Sequence, residues 1–256
     1  MDTIVTLALA TFALGIVLGF VGAGGAGVLV AVLTAVFRVP IHEAIGTALG
    51  AMGFVTVAGA VSHYREGNVA PRIGLLVGVS GMVGAVVGAD LGQSIPPAAL
   101  KAGAGVALWT LAVLVWLRTR LPVQALAAAR DSGSGARSGR QVAASIGLGL
   151  SGGATAAFFG VGMAPFLQLG LLTVLRLPLR QTVGTTMLTL VFISASGTLV
   201  LARHGHVSAP HLTGVVVGLS AGSFVGARFT RRAPHAVLRG AVVAVPAIAG
   251  AMLLFL

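Results

Sequence analysis

The 256-residue sequence has no cysteine, one tyrosine, two tryptophans and only five acidic residues, and charged residues of both signs make up 8% of it. The missing cysteine excludes disulfides, thiolate metal centres and thiol nucleophiles, and leaves the redox compartment unreadable. The scarcity of charge excludes more. A soluble domain carries about 25% charged residues, and a chain that is 57% hydrophobic with a mean hydropathy of +1.03 cannot cover a water-facing globule. The expected class is an integral membrane protein. A β-barrel would show apolar residues alternating with polar ones, whereas the apolar runs here are continuous. The 38 glycines follow no three-residue period, which excludes collagen. An all-α polytopic membrane protein remains.

The few acids face 16 Lys and Arg, a formal charge of +11. In a soluble chain that balance would suggest nucleic acid. Here the cations stand singly at the ends of apolar runs, so topology and anionic lipid headgroups account for them and no nucleic-acid partner is expected. Met1-Asp2-Thr3 offers no basic n-region, so the N-terminus is not read as a signal peptide.

Cutting the chain at charged or histidine residues leaves eight apolar segments, with a polar Gly/Ser-rich stretch between the fourth and fifth. Residues 1–118 read as an N-terminal membrane repeat, 119–140 as a cytoplasmic linker and 141–256 as a C-terminal membrane repeat. Adding 138 to every number from Phe12 to Arg118 lays one repeat on the other without a gap, and 26 of 107 pairs are identical. Matched pairs include Gly22/Gly160, Gly24/Gly162, Gly46/Gly184, Thr47/Thr185, Arg38/Arg176 and Pro40/Pro178.

The first segment of each repeat, 3–37 and 141–175, runs 35 residues without a charge. As one helix it would be about 52 Å long against a hydrocarbon core near 30 Å. Gly22-Ala23-Gly24-Gly25 and Gly160-Val161-Gly162 are the natural breaks, because successive glycines weaken a helix and permit positive φ. Charge counting supports hairpins there. Single crossings would divide the Lys and Arg eight to eight, whereas hairpins that return to their own side divide them 13 to 3, as the positive-inside rule requires. The linker is then cytoplasmic and both termini lie outside. A hairpin plus three spans crosses an odd net number of times, so the second repeat is inverted relative to the first, a recurrent transporter architecture. The unwound loops are expected to face each other near the midplane.

An unwound turn inside a membrane needs protein or a water-filled cavity around it. Gly24, Gly25 and Ala26 would begin a short helix and aim free N–H groups at a small anion, and Gly162, Met163 and Ala164 would do the same from the other side. Gly46-Thr47 and Gly184-Thr185 are expected to open the next helix of each repeat, each threonine capping its own backbone or turning its hydroxyl to a ligand. Among the acids, Glu43 and Asp90 sit near helix ends as interfacial carboxylates, and proton or cation coupling through them is open. His204-Gly205-His206 with His211 has the look of a transition-metal site but falls in a loop without a carboxylate partner, so neither metal nor cofactor is expected. No Ser-His-Asp set or carboxylate pair can be drawn, and the chain is read as a non-enzyme.

The segments Gly22-Ala23-Gly24-Gly25, Pro40-Ile41-His42-Glu43-Ala44-Ile45-Gly46-Thr47 and Tyr64-Arg65-Glu66-Gly67-Asn68-Val69 resemble the sulfite exporter TauE/SafE family. Gly160-Val161-Gly162, Leu177-Pro178, Val183-Gly184-Thr185 and Gly205-His206-Val207 repeat the resemblance in the second half. The resemblance implies a permease of a bacterial or archaeal cytoplasmic membrane for small sulfur-containing anions such as sulfite, thiosulfate or organosulfonates. The chain departs from the family's glycine run at Ala26 and at Met163-Ala164, and lacks the proline usual after Gly25.

The expectation is therefore an alternating-access carrier of a small anion. Gly22, Gly24, Gly25, Ala26, Gly46, Thr47, Gly160, Gly162, Met163, Gly184 and Thr185 form its candidate site, and the lipid bilayer is its surroundings. Transport of a metal cation or carboxylate, a non-transporting assembly or anchoring role, and a homodimeric state stay open.

Overall fold

The computed structural model describes residues 2–21, 25–120, 137–160, 164–230 and 235–255, and the regular elements among them are all α-helices. They are α1 (Asp2–Val21), α2 (Ala26–Ala35), α3 (Ile41–Arg65), α4 (Pro71–Gln93), α5 (Pro97–Arg120), α6 (Arg137–Phe159), α7 (Ala164–Thr173), α8 (Leu179–Arg203), α9 (Ala209–Thr230) and α10 (His235–Phe255). Among the described residues, six helices are long and apolar enough to cross a membrane: α3, α4, α5, α6, α8 and α9. Large apolar side chains such as Leu9, Phe54, Val79, Val106, Val217 and Phe224 point outward. A surface of this kind belongs in lipid, and the protein is embedded in the membrane as a multi-pass bundle.

Both overlong segments break where the glycines predict. The chain leaves α1 at Val21 and re-enters helix at Ala26, and it leaves α6 at Phe159 and re-enters at Ala164. The expected site residues Gly22, Gly24, Gly162 and Met163 lie outside the described residues. The Leu148 side chain fills the space where a Cβ on Gly170 would sit, and Leu167 does the same for Gly152. Positions thus rise along α7 as they fall along α6, so α7 folds back on α6 as a hairpin. Each short helix has 10 residues, about 15 Å, half the thickness of the hydrocarbon core.

The helix bounds recur at the 138-residue offset: α2 falls on α7 and α3 on α8 at both ends, and α4 and α5 begin where α9 and α10 begin. Arg38 and Arg176, which follow the short helices, share a left-handed φ of 55°. Gly67 and Gly205 end α3 and α8 with φ of 70° and 75°. The turn bonds repeat as well, with the Asn68 N–H donated to the His63 carbonyl at 2.9 Å and the His206 N–H to that of Leu201 at 2.8 Å.

Pro40 and Pro178 stand at the N-caps of α3 and α8 with ψ of 139° and 147°, and their carbonyls accept the first helical bonds, from Ala44 and Thr182. The helices therefore start directly after the prolines. This corrects the expectation that Gly46-Thr47 and Gly184-Thr185 open them: His42-Glu43 and Arg180-Gln181 interrupt the apolar run but not the helix. α5 runs on to Arg120 and α6 begins at Arg137.

The two halves interleave. α3 and α8 cross antiparallel, Gly53 against Ser194, Gly59 against Met187 and Gly197 against Leu49. α1 packs along α9 and α4 along α6. In these pairs backbone meets backbone, with Gly84 and Gly88 against the carbonyls of Leu150 and Ala154, and Gly222 and Gly226 against those of Phe12 and Ile16. Small residues let membrane helices approach this closely and gain dispersion contacts that lipid tails cannot supply. α5 pairs with α10, where the Trp109 indole N–H donates to the Ala247 carbonyl at 3.1 Å. One buried core unites the halves, with Leu29, Leu49 and Val77 beside Leu167, Leu190 and Leu219.

Candidate functional site

The sequence motifs gather at both ends of the α3/α8 crossing. At the N-terminal end of α3, Ile45 packs against Gly160, which opens the break of the second half. Gly160 has φ of +64° and a Cβ there would run into the Ile45 side chain, so only glycine satisfies both the backbone and the space. On the next residue, Gly46 leaves room for the His206 carbonyl in the turn after α8. At the other end, Gly184 receives the Asn68 carbonyl in the turn after α3. Positions 46 and 206 become 184 and 68 under the 138-residue exchange, so the same seam is built twice. The paired glycines are thus explained by close approach of the opposite half.

The threonines beside them have diverged. Thr47 and Thr185 are both fully buried. The Thr185 hydroxyl accepts the Ala70 N–H at 3.0 Å, a bond between halves. The Thr47 hydroxyl has no partner among the described residues. Neither caps its helix, and a buried hydroxyl left unpaired costs about 1–3 kcal/mol unless a ligand or water reaches it. Beside Ala70 a groove of about 670 Å³ opens between the starts of α4 and α6, lined by Arg72, Gln141 and Ser145 among others.

The start of α2 is bare. Gly25 is its N-cap with no side-chain hydrogen bond, and neither α2 nor α7 carries an acidic residue in its first turn. Ala26 and Ala164 are buried, as the first residues of helices that begin within the protein. Gly25 itself packs on the Leu18 side chain of its own hairpin. Because Gly22 and Gly24 lie outside the described residues, the facing of the two loops across the midplane remains an expectation.

The sequence gives the histidines no carboxylate partner, and the structure corrects this. His204 Nε2 lies 3.2 Å from the Asp90 carboxylate and His211 Nδ1 lies 2.9 Å from that of Glu43. The His42 ring stacks on His206 at 5.2 Å, and His42 Nε2 lies 3.2 Å from the Gly92 carbonyl. His204 and His206 stack at 6.5 Å. Burial, reinforced by His42 and His204 and opposed by Glu43, holds the His206 imidazole below its ordinary value of 6.5. The cluster escapes sequence reasoning because its members come from α3, α4, the turn after α8, and α9, which are distant in the chain. Among the described residues no three such groups are arranged to hold a metal ion.

The profile of the Sulfite exporter TauE/SafE family matches residues 7–253. The "Probable membrane transporter protein YdhB" of Bacillus subtilis (strain 168) is 40% identical over 247 residues, which cover 96% of this chain and 98% of that protein. No solved structure matches. A family match that runs from α1 to α10 leaves no part of the bundle unaccounted for: the chain is a membrane transporter belonging to the TauE/SafE sulfite exporter family.

Proposed function

We propose that the chain is a permease of a bacterial or archaeal cytoplasmic membrane that moves a small anion, a sulfur oxoanion or organosulfonate such as sulfite. It works by alternating access between two inverted repeats, residues 1–118 and 141–256, joined by a cytoplasmic linker at 119–140, with both termini outside. The observation that carries this reading is the pair of half-length helices α2 and α7, each starting behind a glycine break inside the protein and free of acidic residues in its first turn. A helix start of this kind presents backbone N–H groups and the positive end of the helix dipole, which stabilise an anion without a buried Lys or Arg. Gly22, Gly24, Gly25 and Ala26 would contribute from one half, and Gly160, Gly162 and Met163 from the other. The Thr47 hydroxyl, buried without a partner among the described residues, is the side chain best suited to join them, while Gly46, Gly184 and Thr185 shape the seam around the path.

Purified protein in liposomes tests the reading. Labelled sulfite, thiosulfate, sulfoacetate, sulfate, chloride and small carboxylates are offered in turn. Uptake of a sulfur anion that Gly24→Leu and Gly162→Leu each abolish supports the site. Uptake that survives in the folded double variant removes it, and vesicles that move no solute at all point to an assembly or anchoring role.

A further inference from the structure

Exchanging residue numbers by 138 turns one end of the α3/α8 crossing into the other, and the backbone survives the exchange while the chemistry does not. At one end stand His42, Glu43, Asp90, His204, His206 and His211; their counterparts are Arg180, Gln181, Arg228, Glu66, Asn68 and Ile73. Four of the chain's six histidines thus gather at one end; the other end holds His63, whose ring lies 3.7 Å from Glu66 of its own half, among amides, an aliphatic side chain and permanent charges. The difference falls on the contacts that join the halves. His211 on α9 reaches Glu43 on α3, His204 reaches Asp90 on α4, and His206 in the turn stacks on His42 of α3. Each contact pairs a residue of the second half with one of the first. Arg203, exposed at the end of α8, adds a permanent positive charge to the same turn.

The two kinds of contact respond to a proton differently. At His204 and His211 the ring faces a carboxylate, so a proton gained there meets an opposite charge. At His206, by contrast, the ring is half-buried between two other imidazoles and its Nδ1 has no acceptor among the described residues. A charge placed there is opposed by burial, His42 and His204, and is offset by Glu43. The carbonyl of this same residue fills the notch at Gly46, so whatever displaces His206 also opens the seam above Thr47.

We propose that the His42, His204 and His206 cluster, with Asp90, Glu43 and His211, is a proton-binding latch that keeps the two halves closed at this end while His206 is neutral and releases them when it is protonated. The latch deepens the alternating-access reading and rests on it, since a latch requires two halves that part. Proton uptake at His206 is then linked to opening at this end: the opposite seam presents Asn68 in its place, and His63 there pairs with Glu66 of its own half rather than across the halves.

The absence of native cysteine makes the test direct. Thr47→Cys places a near-isosteric thiol under the latch, and Gly139→Cys, exposed at the start of α6 with open space around it, serves as reference. Labelling by a small dipyridyl disulfide is followed in detergent without any transport substrate. The outcome therefore does not depend on which anion, if any, is carried. The ratio of the labelling rate at position 47 to the reference rate should rise more than about threefold from pH 7.5 to pH 5.5. His206→Asn, borrowed from the other seam, should make the ratio independent of pH. His204→Gln provides a second arm that does not touch the packed ring: it removes one positive neighbour and frees Asp90, so the rise should begin at higher pH. A ratio that is flat in the parent, a rise that persists in His206→Asn, or an onset unmoved by His204→Gln would each overturn the latch. Loss of anion uptake with the labelling pattern intact would instead remove the transport reading.

Discussion

The Thr185 hydroxyl accepts the Ala70 N–H at 3.0 Å across the two halves, whereas the equivalent hydroxyl of Thr47 has no partner among the described residues. Identical residues at equivalent places therefore do different work. Thr185→Val should strand a part-buried N–H and lower stability by about 1 kcal/mol. Thr47→Val should melt at or above the parent temperature. Thermal unfolding in detergent compares them, and a transport defect in Thr47→Val without a stability defect would assign that hydroxyl to the solute path.

Gly160→Ala must adopt a left-handed backbone and meet Ile45, so a loss of about 1–2 kcal/mol from the backbone alone is expected, with crowding added. Ile45→Ala should recover the crowding part only. A double-mutant cycle on melting temperatures gives a favourable coupling between the two changes if this packing is correct, and none if Gly160 stands clear of α3.

Glycines on helices can be sorted by what a methyl group would meet. Gly88→Ala would press on the Ala154 carbonyl and push α4 from α6, which should destabilise the protein. Gly147→Ala, on α6 with open space around it, should gain about 0.5–1 kcal/mol from helix propensity. Equal melting temperatures for the two variants would contradict this close packing.

His206 prefers to stay neutral in the folded turn, so the unfolded chain binds a proton there more readily. Its contribution to stability is complete above pH 6.5, the ordinary histidine value, and is lost as the pH falls below it. The melting temperature of the parent should therefore drop more steeply between pH 6.5 and 5 than that of His206→Asn, with the two curves running parallel above pH 7. Parallel curves throughout would show that His206 titrates as it does in the unfolded chain.

Single cysteines at Ser134 and His235 should be shielded from an impermeant thiol reagent in intact cells, while those at Lys101 and Arg203 should react. Labelling at 235 with protection at 101 would reverse the proposed parity.

Helix content, the two breaks and the 138-residue register are all legible in the sequence. They depend on local properties: apolar run length, consecutive glycines, and prolines at fixed offsets. The starts of α3 and α8 are not, because His42-Glu43 and Arg180-Gln181 look like boundaries while Pro40 and Pro178 set them. A charged side chain near a helix end can reach the membrane interface without ending the helix. The partners of His204 and His211 are equally hidden, because a contact between α3 and α9 or between α4 and the turn after α8 leaves no spacing signal along the chain. The pairing of Gly46 with the His206 carbonyl escapes for the same reason, although each motif stands out separately.

The seams at Gly46 and Gly184 are closed by carbonyl oxygens, a part that every amino acid possesses. Fit is thus specified by main chain and by one missing methyl group, which leaves the side chains of the closing turn outside the requirement. A duplicated half can keep its docking geometry while its turn drifts from Glu66-Gly67-Asn68 to His204-Gly205-His206. The two mouths of one bundle can in this way acquire unlike chemical sensitivities with no rearrangement of the scaffold, and chimaeras that exchange these tripeptides should dock as the parent does.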